Sequence, residues 1–359
     1  MIEASKRLRR VKRIFDPYKE RRHLVRLDRN EDPAGWDEEH FTGWLKTLTP
    51  YDLAAYADST VLADKLAGWL GVNRDGVYIT AGSDAGIKNI FETFVDPGDK
   101  VLVQTPSWAM YEVYANVYQA RLEKLAYDEE IHFDFDELIQ QISTTNLRMV
   151  LLANPNQPTG TLFTEEQVEA ILEVAEARDI LVVMDEAYHL FTPRTALDHL
   201  GARKNLIITR TFSKAFGLAG LRIGYCISCP DRISDLMLLR PVTDANSLAL
   251  SCASYALDNI DWINARIADM LEGRAYLLST MQESGLACFP SATNFLLVRY
   301  PDFETGKRVV EQCLAAGYSL KGPFTFPPLE NCIRISIGTL ALMEEFWADC
   351  SGILCQAPD

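Results

Sequence analysis

Residues 205–225 read NLIITRTFSKAFGLAGLRIGY, and they carry the clearest structural pattern of the chain. The runs 206–209 and 223–227 are apolar and rich in β-branched residues, as buried strands are. Between them, Lys214 stands in a turn of Ser, Gly and apolar residues, with Arg222 further along the same connection. Strands that are apolar throughout are typical of a sheet with helices on both faces. The stretch therefore predicts an α/β sheet with a lysine just beyond the end of one strand.

The same alternation of strand and helix patterns extends over residues 60–230. Other apolar runs of strand length lie at 77–80, 101–104, 149–153 and 180–184. Segments with helical periodicity separate most of them, for example 61–71, 85–94 and 165–178. This alternation predicts a mostly parallel sheet that is covered on both faces.

The pattern changes after about residue 250. A long helical segment spans 249–284, and the remaining strands and a closing helix are predicted at 286–289, 294–298, 333–337 and 342–351. We therefore expect fold class α/β, with an N-terminal arm over 1–30, a large domain over 31–248 and a smaller α+β domain over 249–359.

The composition is that of a globular protein, and the charge is unevenly spread. Of 359 residues, 48% are hydrophobic and 24% are charged, which argues against a disordered, collagenous or coiled-coil chain. The net charge of −15 argues against general binding of nucleic acid. Residues 1–29 nevertheless hold 11 Lys or Arg and 4 Asp or Glu. Taken alone, this arm fits either a nucleic-acid or membrane-surface segment or an arm that packs on an acidic body.

The sequence gives little support for membrane, secretory or metal-binding functions. No apolar run reaches the roughly 18–20 residues of a membrane span, and the N-terminal residues lack the apolar core of a signal peptide. Eight cysteines in a chain of this length do not form a disulfide scaffold. Cys226 and Cys229 form a CxxC pair without the second pair that zinc needs. We expect unpaired thiols, no metal and a cytoplasmic setting.

Polar residues follow four of the predicted strands, at the edge where an open parallel sheet binds ligands. Ser83 and Asp84 lie in a Gly-rich turn, which fits either an anion site at a helix start or a plain tight turn. Asp185 ends an apolar strand, where an ionised carboxylate needs a partner from a ligand or from the protein. The rigid turn NPNQPTG at 154–160 either faces the same edge or is only a connector.

Lys214 is the fourth of these groups. Desolvation and nearby cations lower the pKa of a lysine, which makes its amine a Schiff-base nucleophile. The hydroxyls of Thr211 and Ser213 together with Arg222 form a suitable cradle for a dianion. One ligand would use all four groups. Pyridoxal phosphate needs a lysine for its aldehyde, a carboxylate for its ring nitrogen, donors for its phenolate and a cup for its phosphate.

At these residues the sequence resembles the fold-type-I pyridoxal-phosphate aminotransferases, and most closely the histidinol-phosphate aminotransferase branch. The resemblance runs from LDRNEDP at 27–33 to CIRISIGT at 332–339. Its most specific motifs are TFSKAFGLAGLRIGY at 211–225, NPNQPTG at 154–160 and VVMDEAY at 182–188. It implies an enzyme that moves an amino group between an amino acid, or a phosphorylated or acidic amine, and a keto acid in two half-reactions.

The resemblance also implies roles for particular residues. Lys214 would form the internal aldimine and move the proton at Cα, Asp185 would pair with the ring nitrogen, and Tyr188 would hydrogen-bond the phenolic oxygen. The other residues that would bind the cofactor are Ser83, Asp84, Thr211, Ser213 and Arg222 at the phosphate, Trp108 stacked on the ring, and Gln157 near the phenolic oxygen. Tyr56 would reach the cofactor phosphate of a partner subunit, which implies a homodimer with shared sites.

For the substrate, the resemblance implies Arg334, which would hold an acidic group in a bidentate fork. Asn30, Lys321 and the arm residue Tyr18 would lie close to it. The match at Tyr18 favours an arm that packs on the protein, so we expect no nucleic-acid partner.

Three departures from the family leave the identity of the substrate open. Gln157 stands where the family usually has Asn, and its longer amide either reaches the same oxygen or shifts the ring. Lys321 stands where the histidinol-phosphate enzymes tend to have a second Arg, and a lysine offers a point charge rather than a fork. The segment 36–50 replaces the usual short connection. Histidinol phosphate itself is therefore not the expected substrate.

Other functions compete with transamination. A pyridoxal-phosphate decarboxylase, lyase or cyclase could use the same scaffold, because the bond that breaks depends on which Cα bond stands perpendicular to the ring. A non-catalytic regulator would need an added basic domain, and a dehydrogenase would need a GxGxxG motif; the sequence shows neither.

Overall fold

A computed structural model of the chain describes residues 5, 8, 11, 20–241 and 244–356, so that Tyr18 lies outside the described residues. The strands are β1 (Val25–Arg26), β2 (Val77–Thr80), β3 (Lys100–Thr105), β4 (Arg121–Ala126), β5 (Met149–Ala153), β6 (Leu181–Asp185), β7 (Leu206–Thr211), β8 (Gly224–Ser228), β9 (Ala287–Phe289), β10 (Phe295–Arg299), β11 (Tyr318–Ser319) and β12 (Cys332–Ser336). The α-helices are α1 (Glu38–Leu45), α2 (Pro50–Ala54), α3 (Thr60–Leu70), α4 (Ser83–Phe94), α5 (Met110–Val117), α6 (Phe135–Thr144), α7 (Glu165–Glu176), α8 (Pro230–Met237), α9 (Ser247–Asp258), α10 (Ile260–Glu283), α11 (Phe303–Ala315) and α12 (Leu340–Leu354).

A seven-stranded sheet, in the order β2-β8-β7-β6-β5-β3-β4, forms the centre of the protein. The neighbours from β7 to β4 pair in parallel, whereas β8 runs antiparallel to both β7 and β2. Every residue of β5, β6 and β7 is buried, because helices cover both faces of the sheet. This architecture confirms the predicted α/β fold class.

Alternate residues of the central strands belong to two different apolar clusters. In β5, Val150 and Leu152 contribute to a larger sheet cluster, which includes residues of α3, α6, α7 and α9. Met149 and Leu151 contribute to a smaller sheet cluster with residues of α4, α5 and α8. The period of two follows from the pleat, which points successive side chains to opposite faces.

A third apolar cluster, the C-terminal cluster, joins the end of the chain to its beginning. It contains Leu277 of α10, Val309 of α11 and Phe346 of α12, together with residues of the antiparallel sheet β12-β10-β9. The short strand β1 pairs in parallel with β11, and Leu27 just after it is fully buried in the same cluster. The described end of the arm therefore lies on the C-terminal part of the chain.

Two elements differ from the sequence-based expectation. Strand β4 was not predicted, because its sequence RLEKLA carries three charged residues; it is an edge strand that pairs with β3 and leaves polar side chains toward solvent. The predicted helix 249–284 is two helices, α9 and α10, which meet at Asn259 with φ −114° and ψ 38°. Helix α9 packs in the larger sheet cluster, and the predicted domain boundary at 248 and 249 stays a prediction.

Among the described residues, none of the helices combines the length and the apolar character that crossing a bilayer requires.

Candidate active site

A cleft of about 630 Å³, counting its open mouth, lies at the carboxyl ends of the central strands. Its lining comes from the connections after β2, β3, β5, β6 and β7, which end at the same edge of the sheet, as ligand sites of open α/β sheets do. The structure brings together ten of the residues that the sequence predicted around the cofactor: Ser83, Asp84, Trp108, Gln157, Asp185, Tyr188, Thr211, Ser213, Lys214 and Arg222.

Lys214 follows β7, and its amine lies in the interior of the cleft. Its Nζ donates to the backbone carbonyl oxygen of Arg29 at 3.2 Å, and it lies 5.7 Å from the centroid of the Tyr188 ring. Burial, and after it the positive charge of Arg334, lower the pKa of Lys214 to about 8. A substantial fraction of this amine is therefore neutral near pH 8, as a nucleophile or proton acceptor must be.

Asp185 is the last residue of β6 and is buried beneath the cleft. Its Oδ2 accepts a hydrogen bond from the Tyr111 hydroxyl at 2.6 Å, and its Oδ1 accepts one from the Thr209 hydroxyl at 3.2 Å. Burial nevertheless raises its pKa to about 6. Among the described residues no Lys, Arg or His forms an ion pair with it, so this buried carboxylate fits a cation supplied by a ligand.

An anion cradle lies at the other end of the cleft. Helix α4 begins at Ser83, after Gly82 with φ +88°. A Cβ at Gly82 would lie 2.8 Å from Nη2 of Arg222, so the glycine leaves the space that the guanidinium fills. Nη1 of Arg222 donates to the Ser213 hydroxyl at 3.2 Å. A helix N-terminus, a hydroxyl and an arginine thus converge, which suits a phosphate group.

Trp108 and Gln157 line the cleft between these two ends. The Trp108 side chain is partly exposed, with its Nε1 donating to Oδ1 of Asp84 at 3.3 Å. Gln157 stands in a turn that the neighbouring Asn156 holds in place. Asn156 accepts from the Ser107 hydroxyl at 2.7 Å and donates to the Thr159 hydroxyl at 2.7 Å.

Arg334 lies in β12 and is buried, with 6% of its surface exposed. Its Nη2 donates to the backbone carbonyl oxygen of Asp28 at 2.9 Å, its guanidinium lies over the Phe295 ring, and its buried Nε has no partner among the described residues. Burial lowers the pKa of Arg334. Lys321 and Arg334 pair through their backbones in an isolated antiparallel bridge, which places the two cationic residues on adjacent segments of the chain.

Four of the predicted residues that the structure describes are not in the lining of the cleft: Arg334 and Lys321, described above, and Tyr56 and Asn30. Tyr56 is 90% exposed and lies on a different surface of this chain, together with Tyr51 and Val61. Asn30 is buried, and its amide donates to the Tyr188 hydroxyl at 2.8 Å.

Sequence reasoning missed the two residues that hold Asp185. Tyr111 is buried in α5, one helical turn after Trp108, and Thr209 is a buried residue of β7 opposite Asp185. The signal for Thr209 was present, since a hydroxyl in an otherwise apolar strand next to a carboxylate needs a polar partner. Tyr111 gave no such signal, because a Tyr is an ordinary buried residue in a helix such as α5, which packs against the sheet.

Comparisons with known proteins agree with this site. The model of the family "Aminotransferase class I and II" matches residues 48–348. A histidinol-phosphate aminotransferase of Ruminiclostridium cellulolyticum is 30% identical, over 94% of this chain and 96% of that protein. Histidinol-phosphate aminotransferase 1 of Burkholderia lata is 33% identical, over 88% of each.

Solved structures show the same relationship. The histidinol-phosphate aminotransferase of Sinorhizobium meliloti in complex with pyridoxal-5'-phosphate superposes with a TM-score of 0.86 at 27% identity, over 99% of this chain and 98% of that chain. An aspartate aminotransferase of Thermus thermophilus, at 21% identity and a TM-score of 0.77, shares the fold. The lysine, the carboxylate and the anion cradle fit pyridoxal phosphate, so both this cofactor and the aminotransferase class predicted from the sequence are confirmed. The chain belongs to the class I and II aminotransferases, and it is a pyridoxal-phosphate-dependent enzyme of fold type I in the branch that contains the histidinol-phosphate aminotransferases.

Proposed function

We propose that this aminotransferase uses Lys214 to carry its cofactor and to move the proton at the substrate's Cα, and that its amino donor bears a carboxylate or a phosphate. The observation that carries the proposal is the Lys214 amine, whose pKa is lowered to about 8 in a cleft that it shares with Asp185 and the anion cradle. When bound, pyridoxal phosphate supplies an electron sink for the charge that develops at Cα.

Different lining residues would bind different parts of the cofactor. We assign its phosphate to the start of α4 and to Arg222, where the structure has helix N–H groups and a guanidinium side by side. Asp185 would face the ring nitrogen, and its two hydroxyl donors favour the charged carboxylate that this contact needs. The remaining proposed contacts are Trp108 with the ring face, Tyr188 and Gln157 with the phenolic oxygen, and Thr211 and Ser213 with the phosphate.

Lys214 acts as the base and the acid. Its neutral amine accepts the proton that leaves the substrate's Cα. The resulting ammonium then gives a proton to C4′ of the cofactor. The nearby Arg334 and Arg222 disfavour the ammonium, so the proton is held only briefly. The same residue then serves both half-reactions, first with the amino donor and then with the keto acceptor.

Arg334 supports an anionic donor. It is buried, it has one Nη engaged with a backbone carbonyl oxygen, and its Nε has no partner among the described residues. A carboxylate or phosphate would complete its hydrogen bonds. Lys321, paired with Arg334 through the backbone, adds a second positive charge. Histidinol phosphate is one of the donors to be tried, because the relatives from Ruminiclostridium cellulolyticum and Sinorhizobium meliloti are named histidinol-phosphate aminotransferases.

The experiment for Lys214 identifies the lysine directly. Sodium borohydride fixes the cofactor to the lysine that carries it, and we expect peptide mass spectrometry to find the label on Lys214. Lys214→Ala should lose both the label and turnover, whereas Lys204→Ala, at an exposed lysine, should keep both. Normal turnover by Lys214→Ala would refute the role, and carbon dioxide release without a keto acceptor would refute transamination.

The experiment for the donor follows only the first half-reaction, in which the amino donor reacts with the loaded enzyme. Amino acids and amines with neutral, carboxylate and phosphate groups, histidinol phosphate included, are mixed with the loaded enzyme while its visible absorbance is followed. Arg334→Gln should raise the KM of anionic donors by about tenfold to a hundredfold, since a hydrogen bond to a charged group contributes roughly 1.5–3 kcal/mol. An unchanged KM would contradict the assignment of Arg334.

We also propose a homodimer in the cytoplasm. Support for the dimer comes from Tyr56, which is 90% exposed beside Tyr51 and Leu53, 74% and 76% exposed, because large apolar surfaces of this kind mark interaction sites. Support for the compartment comes from the eight cysteines, all unpaired. Mixed dimers of Tyr56→Phe and Lys214→Ala should regain one intact site, and a failure to regain activity, or a monomer in sedimentation, would contradict the shared site.

A further inference from the structure

We propose that Asn30 is a positioning residue that sets the direction in which the Tyr188 hydroxyl donates its hydrogen bond. The sequence led us to expect Asn30 at the substrate. In the structure its side chain is hydrogen-bonded to Tyr188 and Ser336 instead. Asn30 would therefore act on the cofactor only through Tyr188. This inference rests on the proposed role of Tyr188 at the phenolic oxygen of the cofactor.

The polar groups of Asn30 are all engaged. The residue is 2% exposed, and its φ of +55° lies in the left-handed region that Asn tolerates better than most residues. Its backbone N–H donates to the Ser336 hydroxyl at 2.8 Å, and its backbone carbonyl oxygen accepts from Asn294 at 3.2 Å. These two backbone bonds hold the main chain of Asn30 in place beside Ser336.

Ser336 decides which way the amide of Asn30 points. Its hydroxyl oxygen already accepts from the Asn30 N–H, so its own proton needs an acceptor, and among the described residues that acceptor is Oδ1 of Asn30 at 3.3 Å. This leaves Nδ2 to face the Tyr188 hydroxyl at 2.8 Å. The amide therefore donates, and the tyrosine oxygen accepts.

The consequence for Tyr188 follows from the geometry of a phenol. Its oxygen has one lone-pair direction and one O–H direction close to the plane of the ring. Because Asn30 takes the lone pair, the O–H must point away from Asn30, and Tyr188 is one of the residues that line the cleft. Among the described residues no protein atom accepts this proton, although a buried hydroxyl normally finds an acceptor. The donor is thus aimed at a ligand.

The charged groups around Tyr188 are compatible with this direction. Arg334, Asp185 and Lys214 face the ring or its hydroxyl, and burial raises the pKa of Tyr188 to about 12. The hydroxyl therefore keeps its proton across the working range of pH. With its lone pair taken by Asn30, it can only donate to a ligand, and a donor at the phenolic oxygen would weaken the hold of that oxygen on the proton of the neighbouring lysine–cofactor nitrogen.

The experiment follows the absorbance of the loaded enzyme against pH and needs no turnover. Asn30→Asp keeps the shape and the acceptor for Ser336 but replaces the amide donor by a carboxylate, which would draw the Tyr188 proton away from the cleft. We expect the midpoint of the spectral titration to rise by roughly one pH unit, in the same direction as in Tyr188→Phe. The added negative charge would contribute to that rise, so Asn30→Asp is also measured in the Tyr188→Phe background, where its effect should be clearly smaller.

Two further variants keep the test sharp. Asn30→Gly accepts the positive φ and removes the amide without adding charge, so it should raise the midpoint in a Tyr188-dependent way. Asn89 is the matched control, because its Nδ2 also donates to a tyrosine hydroxyl, that of Tyr78, at 3.1 Å. Asn89→Asp should leave the midpoint unchanged.

The outcomes separate the two proposals. If Tyr188→Phe itself leaves the midpoint unchanged, the proposed role of Tyr188 fails. If Tyr188→Phe shifts the midpoint but Asn30→Asp and Asn30→Gly shift it equally in both backgrounds, or not at all, Asn30 does not act through Tyr188 and the inference is overturned.

Discussion

The hydroxyl of Tyr111 donates to Oδ2 of Asp185 across 2.6 Å, beneath the cleft and out of contact with water. Tyr111 belongs to α5 and Asp185 to β6, so the bond ties a helix on one face of the sheet to the edge where the site lies. It also favours the charged form of a carboxylate that burial pushes toward the neutral form.

Removal of the Tyr111 hydroxyl should weaken the binding of the cofactor at acidic pH. The pKa of Asp185 is raised to about 6 even with the Tyr111 bond in place, so Tyr111→Phe should raise it further. Because the ring nitrogen needs a charged partner, the pH below which cofactor affinity decreases should move upward by roughly one unit. Equilibrium titration of the apoprotein with pyridoxal phosphate between pH 5 and 8 measures this. Tyr118→Phe, which loses a surface bond to Glu92, serves as the control, and the prediction is wrong if both variants behave alike.

Capture of the cofactor by the apoprotein should accelerate as the pH rises through about 8. Only the neutral amine of Lys214 is nucleophilic, and its pKa is lowered to about 8 from 10.5. The unfolded chain binds more protons than the folded one between these values, so this group also adds stability to the apoprotein as pH rises across that window. Stopped-flow absorbance gives the rate. In Arg334→Gln the midpoint should move upward, since a positive charge that disfavours the ammonium is gone, and an unmoved midpoint would contradict this account.

Gly82→Ala should impair phosphate binding. The new Cβ would lie 2.8 Å from Nη2 of Arg222, at a residue whose φ is +88°. We expect at least tenfold weaker binding of pyridoxal phosphate and a lower melting temperature. Gly68 in α3 has nothing within 4 Å of such a Cβ, so Gly68→Ala should leave affinity alone and add about 0.5–1 kcal/mol of stability. Equal affinities in the two variants would argue against the cradle.

Glu186→Gln should destabilise the protein far more than an equivalent change at the surface. Oε2 of Glu186 accepts from both Nε and Nη2 of Arg210, at 2.9 and 2.8 Å, and both side chains are buried. Loss of the charge leaves Arg210 without compensation, and we expect about 3–5 kcal/mol lower free energy of unfolding in urea. Glu176→Gln, at a half-exposed partner of Arg203, should lower it by less than about 1 kcal/mol. Comparable losses would contradict the importance of the buried pair.

The strands around the site were predictable because their side chains are buried on both faces. Residues 149–153 form β5 within the predicted limits, and Asp185 ends β6 one residue beyond the predicted run. Helix α3 ends where the sequence places Gly71, in the left-handed conformation with φ 68°. In these elements the local sequence preference and the burial in the fold favour the same structure, so the sequence pattern predicts their bounds.

Prediction was weaker where burial is one-sided or where a contact joins distant parts of the chain. The charged residues of β4 conceal an edge strand, and the break at Asn259 interrupts an apolar period that continues on both sides. The bonds of Asn30 to Tyr188 and Ser336 join residues 158 and 306 positions apart. No local pattern records such distances, and only the folded chain reveals them.

Helix α10 belongs to two hydrophobic clusters at once. Ile263 and Ile267 lie in the larger sheet cluster, and Leu277 and Met281 lie in the C-terminal cluster. Either cluster could unfold alone only if this continuous helix broke between them. We therefore expect the two clusters to unfold at the same temperature, as a single endotherm in scanning calorimetry.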